Sequence, residues 1–234
     1  MNRRPAMDTP GITVHKLAII DEAQWSFRER EPRWGDGTWD PFPAYPHDLA
    51  VAIEAAAHVQ RYCPPLWHVE MYLADREETG RSNGYSNVNQ PQHRNDDGTW
   101  VKDPPVGLIV LSGKRIPPHP AMTRYLVAHE YGHNLAWMLG HVRGANLYDD
   151  DLMQDYAAMR ALPPDGVHHG SGGRWHDSLH EVFACDFRIH VAGVEPEFWP
   201  HPGIARPERV DQLDAWWQQA LADLDHARAA AALS

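Results

Sequence analysis

Val127-Ala128-His129-Glu130-Tyr131-Gly132-His133-Asn134-Leu135 is the stretch from which the rest of the chain is read. It lies within a segment of helical pattern from about residue 120 to residue 139. Residues four apart on a helix share one face, so His129 and His133 can offer both imidazoles to a single ion. Glu130 is rotated by roughly 100° from His129, since a helix turns once per ~3.6 residues. Its carboxylate stands beside such an ion yet stays free to take a proton from water held there. One rigid helix thereby supplies two neutral nitrogen ligands and a general base, a pattern suited to zinc-assisted hydrolysis. Leu126, Val127, Tyr131, Gly132, Asn134 and Leu135 carry no charge, as a partly buried helix of this kind requires. Pro120 suits its first turn, and Gly140 is placed to end it.

Upstream, the nearly continuous apolar run at residues 106–112 predicts a strand buried on both faces. Residues 66–73 alternate, with Trp67, Val69, Met71 and Leu73 on one side and His68, Glu70 and Tyr72 on the other, which predicts a second strand. Between these two runs, residues 75–105 are polar, hold a short strand at 84–88 and an Asp97-Gly98 turn, and read equally as a lid or an insertion. A helix begins at residue 46 or 47 and runs to residue 62, because Leu49, Ala52, Ile53, Ala56 and Val59 recur at three- and four-residue steps. Pro64-Pro65 ends it. Residues 1–45 form an irregular arm with one short strand within residues 11–20, and Trp25, Trp34 and Trp39 are expected to pin that arm to the surface.

Downstream, residues 147–162 suit a helix whose acidic start (Asp149, Asp150, Asp151, Asp155) favours the helix dipole. The adjacent carboxylates lack the interleaved spacing of a calcium loop. A loop rich in imidazole follows, His168-His169-Gly170-Ser171-Gly172-Gly173. Another helix spans residues 177–191 with Asp177 as its N-cap, and a last one spans residues 207–231, with Val210, Leu213, Trp216 or Trp217, Ala220, Leu221 and Leu224 in register. The expected organisation is the arm followed by one domain, residues 46–234. Its first part, 46–140, is α/β, and its second, 141–234, is helical.

With 234 residues, 43% of them hydrophobic, and ten tryptophans, the chain can build a substantial core. Acidic residues outnumber basic ones 32 to 21, for a net charge of −11 with no basic block, which argues against a nucleic-acid partner. No apolar stretch follows the charged N-terminus and no run approaches 18 apolar residues, so no membrane association is expected and a cytoplasmic location is the default. Cys63 and Cys185, the two cysteines, are too far apart in sequence for a close-spaced metal pair and read as buried reduced thiols rather than a disulfide. Histidines cluster at 129–141 and 168–180, which puts at least part of the excess in a chain of sixteen around the proposed ion.

A catalytic zinc normally takes three protein ligands and keeps one open position. The metzincin extension of the motif is excluded, since it needs Gly and His where this chain has Ala136 and Leu139. Glu181 is the candidate third ligand. Its neighbours Leu179, Val182, Phe183 and Phe187 mark a core helix, where a carboxylate needs a partner. Ala184 and Cys185, one turn on, are small enough to let two helices approach. His180, beside Glu181, is the alternative ligand.

His129-Glu130-x-x-His133 with a later Glu on a second helix resembles the gluzincin branch of zinc metallopeptidases. Glu181-x-x-Ala184-x-x-Phe187 is similar to the third-ligand helix of ImmA/IrrE-type peptidases. The resemblance implies an α+β, zincin-like fold, a small mixed sheet packed on the active-site helix with a mainly helical C-terminal part. It also implies one catalytic Zn2+ held by His129, His133 and Glu181, Glu130 as general base, and a peptide or protein substrate lying along a strand edge, at 106–112 or 84–88. In the thermolysin pattern an Asp follows the ligand Glu by four residues. Here Cys185 holds that position and Asp186 comes next, with Asp177 as another acid able to orient a ligand histidine. An oxyanion donor is expected among His168, His169, His176, Tyr131 and Tyr156, with His176 or the His168-His169 pair favoured by their place on the loop before Glu181. Two other functions fit the same residues: a zinc-stabilised binding protein without turnover, and a zinc hydrolase of a non-peptide amide.

Overall fold

Alternation and apolar runs become a small mixed sheet, and the three-to-four-residue periods become helices. The computed structural model describes residues 11–16, 42–43, 45–74, 76–77, 83–95, 97–144, 154–162, 178–194 and 199–232. Its strands are β1 (Ile12–Lys16), β2 (Phe42–Pro43), β3 (Val69–Leu73), β4 (Arg76–Glu77), β5 (Gly84–Asn89), β6 (Gln92–Arg94), β7 (Trp100–Lys102) and β8 (Val106–Leu111). Its helices are α1 (Leu49–Tyr62), α2 (Pro120–Val142), α3 (Gln154–Met159), α4 (Leu179–Asp186) and α5 (Leu213–Ala231). A π-helical turn, Phe187–Val191, continues α4, and a 3-10 turn, Pro207–Arg209, precedes α5. The architecture is α+β.

The main sheet has the order β1-β3-β8-β5. β1, β3 and β8 run parallel, and β5 lies antiparallel on the outside of β8. β8 is therefore an interior strand, which is why its sequence is apolar on both faces, with Ile109, Val110 and Leu111 all buried. In β3 the expected alternation holds: Val69, Met71 and Leu73 are buried, while Glu70 and Tyr72 are half-buried. β1 pairs with β3, so the sheet draws on residues from both sides of position 45. The polar segment 75–105 is neither a plain lid nor a structureless insertion in its described part. It supplies the edge strand β5 and the β6–β7 hairpin, which turns at Asp97-Gly98 with Gly98 at φ 87°.

α2 runs across the sheet and is covered by β5 and β8 on one side and by α1, α4, the π turn and α5 elsewhere, so it is buried on nearly every face. His119 caps its start, accepting from the Ala121 N–H at 3.2 Å. The expected stop at Gly140 is wrong. Gly140 is a buried interior position, and the helix ends beyond Val142, where Gly144 takes the left-handed conformation (φ 76°). α1 is capped by Asp48, whose carboxylate accepts from the Val51 N–H at 3.0 Å. It packs on α2 through Ala52, Ala55, Ala56 and Val59, while Ile53, placed on the apolar stripe by its spacing, is half exposed.

In the C-terminal part, the described portion of the helix expected over 147–162 is α3, with Asp155 in its first turn, while Asp149, Asp150 and Asp151 lie outside the described residues. α4 begins after Ser178 rather than at Asp177, which also lies outside them, and it widens into the π turn instead of continuing as a regular helix. Pro207 opens a 3-10 turn, not α5. The helix proper starts at Leu213 and buries Trp217, Ala220 and Leu224. Cys63 and Cys185 are buried and free, as expected. Trp25, Trp34 and Trp39 lie outside the described residues. No described helix is long and apolar enough to cross a membrane.

Candidate metal centre

The sheet fixes α2 through its backbone and one amide. Ser86 on β5 donates to the Glu130 carbonyl oxygen at 2.8 Å and lies 3.3 Å from the Leu108 carbonyl oxygen. Asn134, one turn beyond Glu130, donates to Ser86 Oγ and, at 3.3 Å, to the Leu108 carbonyl oxygen. Helix, edge strand and central strand are thus joined at one point. Two glycines make room for it. A β-carbon at Gly107 would lie 2.2 Å from Asn134 Oδ1, and one at Gly84 would lie 2.8 Å from the Val110 carbonyl oxygen and 3.0 Å from Glu130 Oε1.

On the opposite flank, α4 approaches α2 at Gly132, where a β-carbon would fall 2.8 Å from Ala184 Cα. This close approach brings Glu181 to the two histidines. His129 Nε2 is 3.0 Å from Glu181 Oε2, and His133 Nε2 is 3.6 Å from Glu181 Oε1. The two imidazoles stand edge to face, 4.8 Å apart at 87°. Among the described residues, His129, His133 and Glu181 are the group whose donor atoms could hold a metal ion, all within 4.8 Å of one another. Glu181 rather than the adjacent His180 completes that group.

The donor set fits zinc. Bonds of about 2.0–2.1 Å in a tetrahedron put ligand atoms about 3.3 Å apart, a spacing bracketed by the two contacts to Glu181. Burial drives the pKa of His129 down to about 3, helped by the Arg188 cation, and that of His133 down to about 4, so both rings are neutral at pH 7, the form in which an imidazole can ligate. Glu130 is buried, its Oε2 has no hydrogen-bond partner among the described residues, and burial followed by the nearby Glu181 charge raises its pKa well above the ordinary carboxylate range. An acid so placed is poised to hold and release a proton.

The surroundings of His129 differ from expectation. Its Nδ1 meets the Cys185 sulfur at 3.5 Å. Asp186 does not reach the ligand histidines. It is wholly buried against Arg160 Nε at 2.8 Å and accepts from the Tyr156 hydroxyl, so it braces α3 and α4 instead. That bond also removes Tyr156 as an oxyanion donor, and Tyr131 is removed too, because its hydroxyl donates to the Cys63 carbonyl oxygen at 2.7 Å. His176, His168, His169 and Asp177 lie outside the described residues. Sequence reasoning missed Gly84, Ser86, Tyr125 and Arg188. The Tyr125 ring lies parallel to that of His129 with centroids 6.1 Å apart, and the Arg188 guanidinium stacks on Tyr125 at 3.8 Å. Tyr125 precedes His129 by one turn and was detectable on that ground; the others depend on tertiary contact alone.

No family model, curated protein or solved structure matches the chain.

Proposed function

We propose that this chain is a zinc-dependent metallopeptidase of zincin-like fold and gluzincin type, hydrolysing peptide bonds. The observation that carries the reading is the convergence of His129, His133 and Glu181 from two helices, with the carboxyl group of Glu130 beside them. Three protein ligands, rather than four, are the number that leaves a zinc ion an open position for chemistry. Bound there, zinc would supply Lewis acidity and lower the pKa of a coordinated water towards about 7.

The protein's own groups do the rest. His129 and His133 stay neutral through burial, so their nitrogens are available as donors without losing protons. Glu130 takes the proton of the attacking water and passes it to the leaving amine, a task suited to a carboxyl group whose affinity for protons is raised by burial. Ser86, by holding the Glu130 carbonyl, fixes where that carboxylate sits relative to β5. β5 is an edge strand of the described sheet and reaches Glu130 at Gly84, so an extended peptide laid along it would bring its backbone past the general base. This favours 84–88 over the interior strand β8 as the substrate rail.

The test is cleavage of an unfolded protein such as reduced casein by zinc-reconstituted wild type and Glu130→Gln. The expected outcome is turnover in the wild type, reduced by about 10²- to 10⁴-fold in the variant, with zinc content unchanged. Equal cleavage by both would contradict the assignment. Absence of cleavage by a wild type that holds zinc would favour the binding-protein reading.

A further inference from the structure

We infer that Cys185 is a positioning residue of this centre, its sulfur accepting the Nδ1–H of His129 and so fixing which ring nitrogen faces the metal. The inference rests on the metal-site reading above and adds a role for a residue outside the ligand set. His129 Nε2 is the nitrogen turned toward Glu181, at 3.0 Å. A neutral imidazole carries one N–H, so a ring that ligates through Nε2 must hold its proton on Nδ1. The Cys185 sulfur stands 3.5 Å from that atom, in a buried setting where a thiol can accept.

The placement follows from helix geometry. Cys185 is four residues after Glu181, so the face of α4 that offers the carboxylate to the metal also offers the sulfur to His129. The ring is further confined by Tyr125, which lies parallel to it. Behind the sulfur is a cation rather than an anion. Arg188 is fully buried, stacks on Tyr125 at 3.8 Å, and lies close enough to Cys185 for both its positive charge and its N–H groups to act on the sulfur. A carboxylate accepting from Nδ1 would strengthen the imidazole as a donor. A neutral thiol backed by guanidinium does so less, which leaves His129 correctly oriented but a weaker ligand. An anion at position 185 would meet both Nδ1–H and Arg188.

The experiment is the zinc Kd of the full chain, by competition with a chromophoric chelator, for wild type, Cys185→Ala, Cys185→Ser and Cys185→Asp, with the melting temperature of each metal-free protein alongside. Cys185→Ala should bind zinc about 10-fold or more weakly, within the roughly 10–100-fold range for lost orienting contacts. Cys185→Ser should recover part of that loss, because its hydroxyl can also accept, and Cys185→Asp should bind more tightly than wild type. Metal-free melting temperatures should not follow this order. Unchanged affinity in Cys185→Ala, or a Kd order that simply tracks the metal-free stabilities, would overturn the inference. Should Cys185→Asp fail to fold, the difference between Ala and Ser decides it. A wild type that binds no added zinc would overturn the metal centre itself, a result distinguishable from failure of the Cys185 role alone.

Discussion

On its sheet side, α2 is tied down by directional bonds: Ser86 to the Glu130 carbonyl, Asn134 to Ser86 and to the Leu108 carbonyl. On its α4 side the approach is set by contact between small residues, Gly132 against Ala184, and the polar groups that meet there are His129, His133 and Glu181. The first flank is joined by direct bonds between helix and sheet. The second gathers two neutral rings and a carboxylate in a largely buried space, an arrangement whose free energy improves when a cation is shared between them. The difference assigns separate tasks: the sheet fixes Glu130, and α4 brings Glu181 to the two histidines and so closes the candidate metal site.

The largest effect should come from breaking the α4 contact. Gly132→Val puts a branched side chain where even a β-carbon would stand 2.8 Å from Ala184 Cα, and backbone cannot move aside cheaply. Overpacking of this kind costs about 1–3 kcal/mol or more, and the displaced Glu181 should weaken zinc binding by more than about 100-fold, beyond the range for lost orienting contacts. Thermal melting and chelator competition measure the two parts. Next, stripping the metal should remove about 2.7 kcal/mol relative to protein held at 100 times its Kd. Hydrogen exchange should then rise in α4 while β5 and β8 keep their protection; equal loosening of both flanks would erase the contrast.

Asn134→Leu attacks the sheet side. It leaves the Leu108 carbonyl and Ser86 without that donor, for an expected loss of about 1–3 kcal/mol in chemical denaturation. Zinc affinity should stay within about 3-fold of wild type, because the Asn134 side chain donates to Ser86 and Leu108 rather than to His129, His133 or Glu181.

The smallest effect concerns His47, buried against Thr123 near the start of α2, with Nδ1 2.8 Å from the threonine hydroxyl. Burial, aided by Lys114, lowers its pKa from 6.5 to about 4. The unfolded chain therefore binds this proton more readily than the folded one. The contribution of His47 is complete above about pH 6.5 and is lost as pH falls from there toward about 4. Urea midpoints measured across that window for metal-free protein should fall less steeply in His47→Gln than in wild type.

Much of this was legible in the chain because burial leaves a periodic trace. β8 and β3 showed as a continuous and an alternating apolar run, and α1 and α2 as helical stripes. The paired histidines were legible because helix spacing alone brings them to one face, and Glu181 because a carboxylate among the core residues Leu179, Val182 and Phe183 needs a partner. What failed did so for local reasons. Gly140 looked like a stop, but its neighbours Met138 and Leu139 are core residues, so the helix runs on until Gly144 can adopt positive φ. Asp186 looked like the acid for a ligand histidine, yet it is rotated roughly 100° from Cys185 and faces Arg160. The β6 and β7 strands are exposed throughout and carry no hydrophobic alternation to reveal them. Ser86 lies 44 residues before Glu130, and Gly84 two residues earlier still, at a distance no local pattern spans.

The most direct measurement is the metal content of purified, zinc-reconstituted protein by elemental analysis, for wild type, Glu181→Ala and His180→Ala. The predicted result is about one zinc per chain in wild type and in His180→Ala, and its loss in Glu181→Ala. Zinc retained by Glu181→Ala, or lost with His180→Ala alone, would contradict the site as drawn, and a wild type without metal would contradict the catalytic reading altogether.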